Sequence, residues 1–163
     1  IVDALFVFTH PYSITISQLL FEKKPFRYLL RILDHQDSFI VGNAIAAIDN
    51  ILYCGAIGSD ESLENPYYEE LYQQGGIQKI FKLFQQTDNQ FNKDGSALCL
   101  GFAFKSREIG DAQMKEQIIS HLQSIVNHNE EETRNEVKLA LKFLSYNPVN
   151  WAIIARGGFV IPV

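Results

Sequence analysis

Cysteine is scarce: Cys54 and Cys99 are the only two among 163 residues. Two thiols are too few for a disulfide framework and fit a reducing compartment. Basic residues are outnumbered, with 14 Lys+Arg against 19 Asp+Glu and a formal net charge of −5. No Lys/Arg-dense block exists to neutralise phosphates, which argues against nucleic acid as a partner. No basic amphipathic helix is apparent either, which argues against a membrane surface. An uninterrupted 18-residue apolar run is lacking, as is an Asn-X-Ser/Thr sequon. The expectation is a soluble intracellular chain, cytoplasmic, nuclear or both.

The patterns that carry common chemistries are also missing. There is no GxxxxGK, GxGxxG, GxSxG or HExxH. The histidines are His10, His35, His121 and His128. The nearest two are seven residues apart, about 10 Å along a helix at 1.5 Å per residue, too far to share a metal. Neither cysteine has a CxxC partner. The carboxylate pairs Asp60/Glu61 and Glu69/Glu70 read as solvated, with ordinary titration. The expectation is therefore no catalytic residue, no metal, no cofactor and no small-molecule substrate.

What the chain does have is apolar material, 47% hydrophobic and 12% aromatic, enough for one domain with a core. Its spacing is helical. Phe26, Leu29, Leu30 and Leu33 fall on one stripe, and Ala44, Ala47, Ile48, Ile51 and Leu52 on another. Between the stripes, Asp34 to Ser38 reads as a turn, and Gly55 to Ser62 as a break. The alternation Ser13-Ile14-Thr15-Ile16-Ser17 is the only short strand candidate. The expected class is all-α.

The helical segments recur in a fixed order. Phe26-Leu29-Leu30-Leu33 matches Ile77-Ile80-Phe81-Phe84 and Ile118 or Ile119 with Leu122, Ile125 and Val126. Each is followed by a polar turn and a second helix anchored at Ala44, Ala97 or Val137, at offsets of 18, 20 and 19 residues. The anchors are 53 and 40 residues apart, and the second spacing is near the period of about 40–47 residues of helical repeats. Gly55 to Pro66 reads as a loop insertion that lengthens the first. Gln74-Gly75-Gly76-Ile77 returns as Arg156-Gly157-Gly158-Phe159, 82 residues on. Paired glycines let the chain turn sharply between helices.

These residues resemble the armadillo repeat. Tyr68 to Phe84, with its Gly75-Gly76 turn, is similar to the family's first and second helices, and Asn43 to Leu52 is similar to its third. The resemblance implies one right-handed α-solenoid over residues 1–163. It would comprise a partial repeat over 1–10, repeats over about 11–56, 66–107 and 108–147, and a partial repeat over 148–163. Lys115-Glu116-Gln117 stands where the third repeat would carry its glycine pair, which leaves armadillo and HEAT assignments open there. Apolar residues at both ends suggest a piece of a longer stack.

The resemblance also implies a function. In armadillo proteins, exposed third-helix positions line a groove that holds an extended peptide or helix of another protein. The groove positions here are Asn43, Asn50, Tyr53, Ser96, Phe102, Ala103, Phe143 and Tyr146. Asn50 matches the family asparagine that bonds a ligand backbone. The tryptophan that importin-alpha places one turn earlier is Ala46 here, which disfavours a nuclear transport adaptor. The expectation is a non-catalytic protein-interaction scaffold. A regulatory or structural segment of a larger kinase or ubiquitin ligase is the alternative.

Overall fold

The computed structural model describes Thr9 and residues 12–162. The partial repeat expected over 1–10 lies, Thr9 apart, outside the described residues. The described chain is all-helical, with no strand among its residues. In order it forms α1 (Ile14–Phe21), α2 (Phe26–Ile32), α3 (Ser38–Ile57), α4 (Tyr68–Gln73) and α5 (Gly76–Gln86). Then come α6 (Gln90–Ala103), α7 (Ala112–Ser124), α8 (Glu131–Ser145), α9 (Pro148–Ile154) and a 3-10 turn at Arg156–Gly158.

Two of the three predicted polar turns supply a capped helix start, at Asp37 and at Asn89, while in the third Glu130 precedes α8 with no side-chain cap bond. Asp37, Asn89, Asp111 and Asn147 are N-caps in extended conformation, each accepting a bond from an amide of its first turn. Such caps satisfy donors that a helix leaves unpaired. The 13–17 alternation is not a strand. Ser13 caps α1, accepting from the Ile16 amide, and Ile14 and Ile16 stay exposed. With no partner strand beside it, the segment gains more from intrahelical bonds.

The longest apolar element is α3. It does not stop at Gly55, as the glycine cluster suggested, but runs on to Ile57. Gly55 is needed inside it because a Cβ there would lie 2.6 Å from Tyr67 and 2.7 Å from Asn65. Nor does the chain lack a stretch apolar enough to cross a membrane: Ser38–Ile57 has a mean hydropathy of 1.5 over 18 residues. Its composition reflects its position, since α1, α2 and α6 all pack against it and 72% of that window is buried. A helix covered on most sides needs no polar face.

Packing follows a simple order. α3 lies on α6 and α6 on α8; α2 backs α3, α5 backs α6, and α7 backs both α6 and α8. Small residues set the spacing. Ala44, Ala47, Ala97 and Ala140 have no exposed surface, and a Cβ on Gly101 would sit 2.8 Å from the Ala140 Cβ. The matching glycine pairs adopt the same backbone at their first member: φ is 70° at Gly75 and 67° at Gly157. That left-handed region carries little penalty for glycine alone. The third segment differs, because Lys115-Glu116-Gln117 lies inside α7 and residues 104–111 contain no helix.

Lys105 is the least expected core residue. It has no exposed surface. Its Nζ donates to the Ala56, Ser59 and Asp60 carbonyls at 2.7, 3.1 and 2.9 Å and to Ser59 Oγ at 2.9 Å. The same ammonium sits 4.9 Å over the Phe143 ring. One cation thus closes the C-terminal end of α3, where carbonyls and the helix dipole favour positive charge.

Candidate functional site

Four of the expected groove residues come together, but not as a ladder open to solvent. Tyr53, Phe102, Phe143 and Tyr146 form one aromatic file across α3, α6 and α8. Successive ring centroids are 5.3, 6.3 and 6.0 Å apart, within the range of favourable edge and tilted contacts. Phe102 has no exposed surface and Phe143 only 5%. The sequence reading of them as ligand anchors is therefore corrected: they join the helices to one another. Only Tyr53 and Tyr146, at the ends of the file, are half-exposed, and Tyr12 lies 4.5 Å beyond Tyr53.

The remaining positions divide in the same way. Asn50 is buried, its Nδ2 donates to Thr9 Oγ1 at 2.9 Å, and it is among the residues lining a cleft between α3, α6 and α8. Ala103 is wholly buried, as is Ser96, whose hydroxyl donates back to the Asn92 carbonyl at 2.7 Å. Asn43 is half-buried. Residues one turn apart on a third helix split between a surface and an interhelical seam. Spacing alone does not say which is which.

This open cleft lies over the middle of α3, most of α6 and the start of α8. Its volume is about 410 Å³. Ile45 and Ala46 of α3 and Gly95 and Leu98 of α6 give it an apolar floor. Phe91 forms a wall and is 62% exposed. Gly42 admits that ring, since a Cβ there would lie 3.3 Å from it. The other walls are acidic: Asp49 from α3, Asp94 from α6, and Glu130, Glu132 and Glu136 at the start of α8. No lysine or arginine is among the described residues lining it.

Three of these carboxylates are nearly buried, Asp49, Asp94 and Glu136 being 6%, 7% and 9% exposed. Asp94 has partners: its Oδ1 lies 2.7 Å from His121 Nε2 and accepts from Gln90 Nε2 at 2.7 Å. Glu136 accepts from the Tyr12 hydroxyl. Asp49 is different. Its Oδ1 is buried with no hydrogen-bond partner. Burial, and then the facing charge of Glu136, hold its carboxyl well above the usual range, against a smaller opposing effect from the Cys99 thiol. Burial raises Cys99 too, with the nearby Asp49 carboxylate adding to it, so this thiol is a packing residue rather than a nucleophile.

This arrangement costs stability at neutral pH. The native chain holds the Asp49 proton more tightly than the unfolded chain does. Its contribution is therefore fully present below the ordinary aspartate pKa, about 3.9, and is lost as pH rises through the elevated native value. Asp49→Asn keeps the shape without the ionisation. Its thermal midpoint is expected to match wild type near pH 4 and exceed it by a few degrees at pH 7. Midpoints measured across that range check this; parallel curves would show that Asp49 ionises freely.

Of the carboxylate pairs read as solvated, Glu61 fits in being exposed. Its pKa is drawn down by the hydrogen bond from Lys142 at 3.1 Å. Glu70 does not fit. It is partly buried, and desolvation raises its pKa.

The acidic cleft residues were missed by the sequence reading, although two signals for them exist. Asp49 is a charge inside the apolar run Ile48 to Leu52, and Glu136 occupies the register of Asn43 and Ser96. Among the described residues no group of three His, Cys, Asp or Glu side chains is arranged to hold a metal ion. Compared with known proteins, the chain matches no family model and no curated relative.

Proposed function

We propose that this chain is a stretch of armadillo-like α-solenoid and serves as a non-catalytic interaction module. Its ligand is a segment of another protein, laid in the cleft that crosses α3, α6 and α8. The observation that carries this reading is the cleft itself, bounded by three successive helices, floored by apolar side chains and walled by the exposed Phe91. A mostly apolar recess with a few placed polar groups is the usual form of a binding site. The solenoid reading is supported by the serial packing of α3, α6 and α8 and by the shared backbone of the two glycine pairs.

The proposed peptide site thus moves from the aromatic file to the cleft over the middle of α3, α6 and the start of α8. Selection from a random library of 12-residue peptides tests this directly. Wild type is expected to enrich a related set, and Ala46→Gln with Phe91→Ala, at equal helicity, to lose it. Ala46→Gln fills the floor, and Phe91→Ala removes the wall. Failure to enrich any peptide, or equal enrichment by the variant, would overturn the cleft as the site.

A further inference from the structure

We propose that the partner segment is basic, and that a lysine or arginine side chain from it enters the cleft to sit against Asp49 and Glu136. This rests on the cleft reading above and names the chemistry of its ligand. An acidic surface alone would not suffice, since charged faces are usually just solvated. Asp49 adds a second observation: an oxygen of a 94%-buried carboxylate, in a cleft wall, with nothing bonded to it. Buried polar atoms are rarely left unpaired, and each one that is calls for an explanation such as a missing partner. A donor is the partner that satisfies this carboxyl once it ionises, since an ionised carboxylate only accepts, and a cation is the donor that also favours the ionised form against burial.

The shape of the cleft narrows the donor further. The cleft that Asp49 lines is also lined by Ala46, Leu98 and the Phe91 ring, all apolar. Long cationic side chains suit such a lining, with a methylene stem against apolar surface and a charged head beyond it. An aromatic face within it adds attraction for the cation. Glu136 lines the same cleft, and its charge adds to the burial that raises the Asp49 pKa, so one cation there relieves that repulsion. A neutral donor would supply the hydrogen bond but leave that repulsion in place. An acidic segment would add to it.

Labelled peptides of 12 residues with one apolar framework and lysine/arginine, glutamine or glutamate at the variable positions form the probe. Binding is read by fluorescence anisotropy at moderate salt. The basic peptide is expected to bind, and the glutamate peptide not to. Asp49→Asn with Glu136→Gln is expected to weaken the basic peptide by about tenfold or more, as loss of close charge pairs does. A control with the same change in net charge, Glu22→Gln with Glu69→Gln on exposed sites, should stay within about twofold.

Equal weakening by both pairs would overturn the seat and leave only the general field of an acidic protein. Tight binding of the glutamine peptide, lost on Phe91→Ala but not on Asp49→Asn with Glu136→Gln, would overturn the cation while the cleft stands. No binding by any peptide would overturn both. If the double variant folds poorly, Asp49→Asn alone provides the same comparison.

Discussion

Lys105→Met is expected to lower the thermal midpoint by about 6–12 °C, the equivalent of about 3 kcal/mol in a domain of this size. Methionine keeps the length and the apolar stem but removes the ammonium. Three carbonyls, of Ala56, Ser59 and Asp60, then lose a donor at once, together with Ser59 Oγ. Hydrogen bonds to a charged group are worth about 1.5–3 kcal/mol each, but they share one donor and do not add. Water reaching the Ser59–Asp60 side would recover part of the loss, so the total stays well below the sum. The damage should be local first. Amides from Gly58 to Leu63 should exchange faster and proteolysis should begin there, while α5 and α7 stay protected. A midpoint within about 1 °C of wild type would show that the lysine caps nothing of energetic weight.

The second large effect is at the seam between α6 and α8. Gly101→Val is expected to cost about 2–3 kcal/mol, the range of overpacked cores. A Cβ at 101 meets the Ala140 Cβ at 2.8 Å and Leu122 Cδ1 at 3.4 Å. The first of these belongs to a short side chain with no rotamer to escape into. The helices must therefore separate, and the buried aromatic contact between Phe102 and Phe143 beside the seam loosens with them. Gly95, on the same helix, is the control: its nearest neighbour is Ile45 Cγ2 at 3.3 Å, on a side chain that can yield. Gly95→Ala is expected to be neutral or slightly stabilising, since alanine favours a helix by up to about 1 kcal/mol. A double-variant cycle completes the test. Ala140→Gly should rescue Gly101→Ala but not Gly95→Ala, because coupling needs contact. Equal costs at 95 and 101 would refute the close approach.

Both effects concern how the third helices meet, and so does the candidate site. The residues of the file, Tyr53, Phe102, Phe143 and Tyr146, were legible as aromatics toward the C-terminal ends of the repeat-anchored helices, but at different registers from the anchors Ala44, Ala97 and Val137. Their contact with one another was not legible. Whether such a ring faces solvent or a neighbouring helix depends on rotation about the helix axis, and spacing does not report that angle. Asn50 illustrates the same limit, since its partner Thr9 is 41 residues away in sequence. Lys105 does too, because its oxygens come from the end of α3 and the loop after it, more than 40 residues earlier.

Residue order alone was enough to give the all-helical class, the main amphipathic helices and the polar turns and paired glycines between them. Amphipathic spacing, polar turns and paired glycines act within a few residues, so the sequence states them directly. It was also enough to show the chain acidic, with its two cysteines isolated. Tertiary structure decided which carboxylates lose their water, that Lys105 is a core residue, and that the open cleft lies beside Phe91 rather than along the aromatic file. Those outcomes depend on burial and on contacts across tens of residues. The free energy of a charge is set by what surrounds it in space, not by its neighbours along the chain.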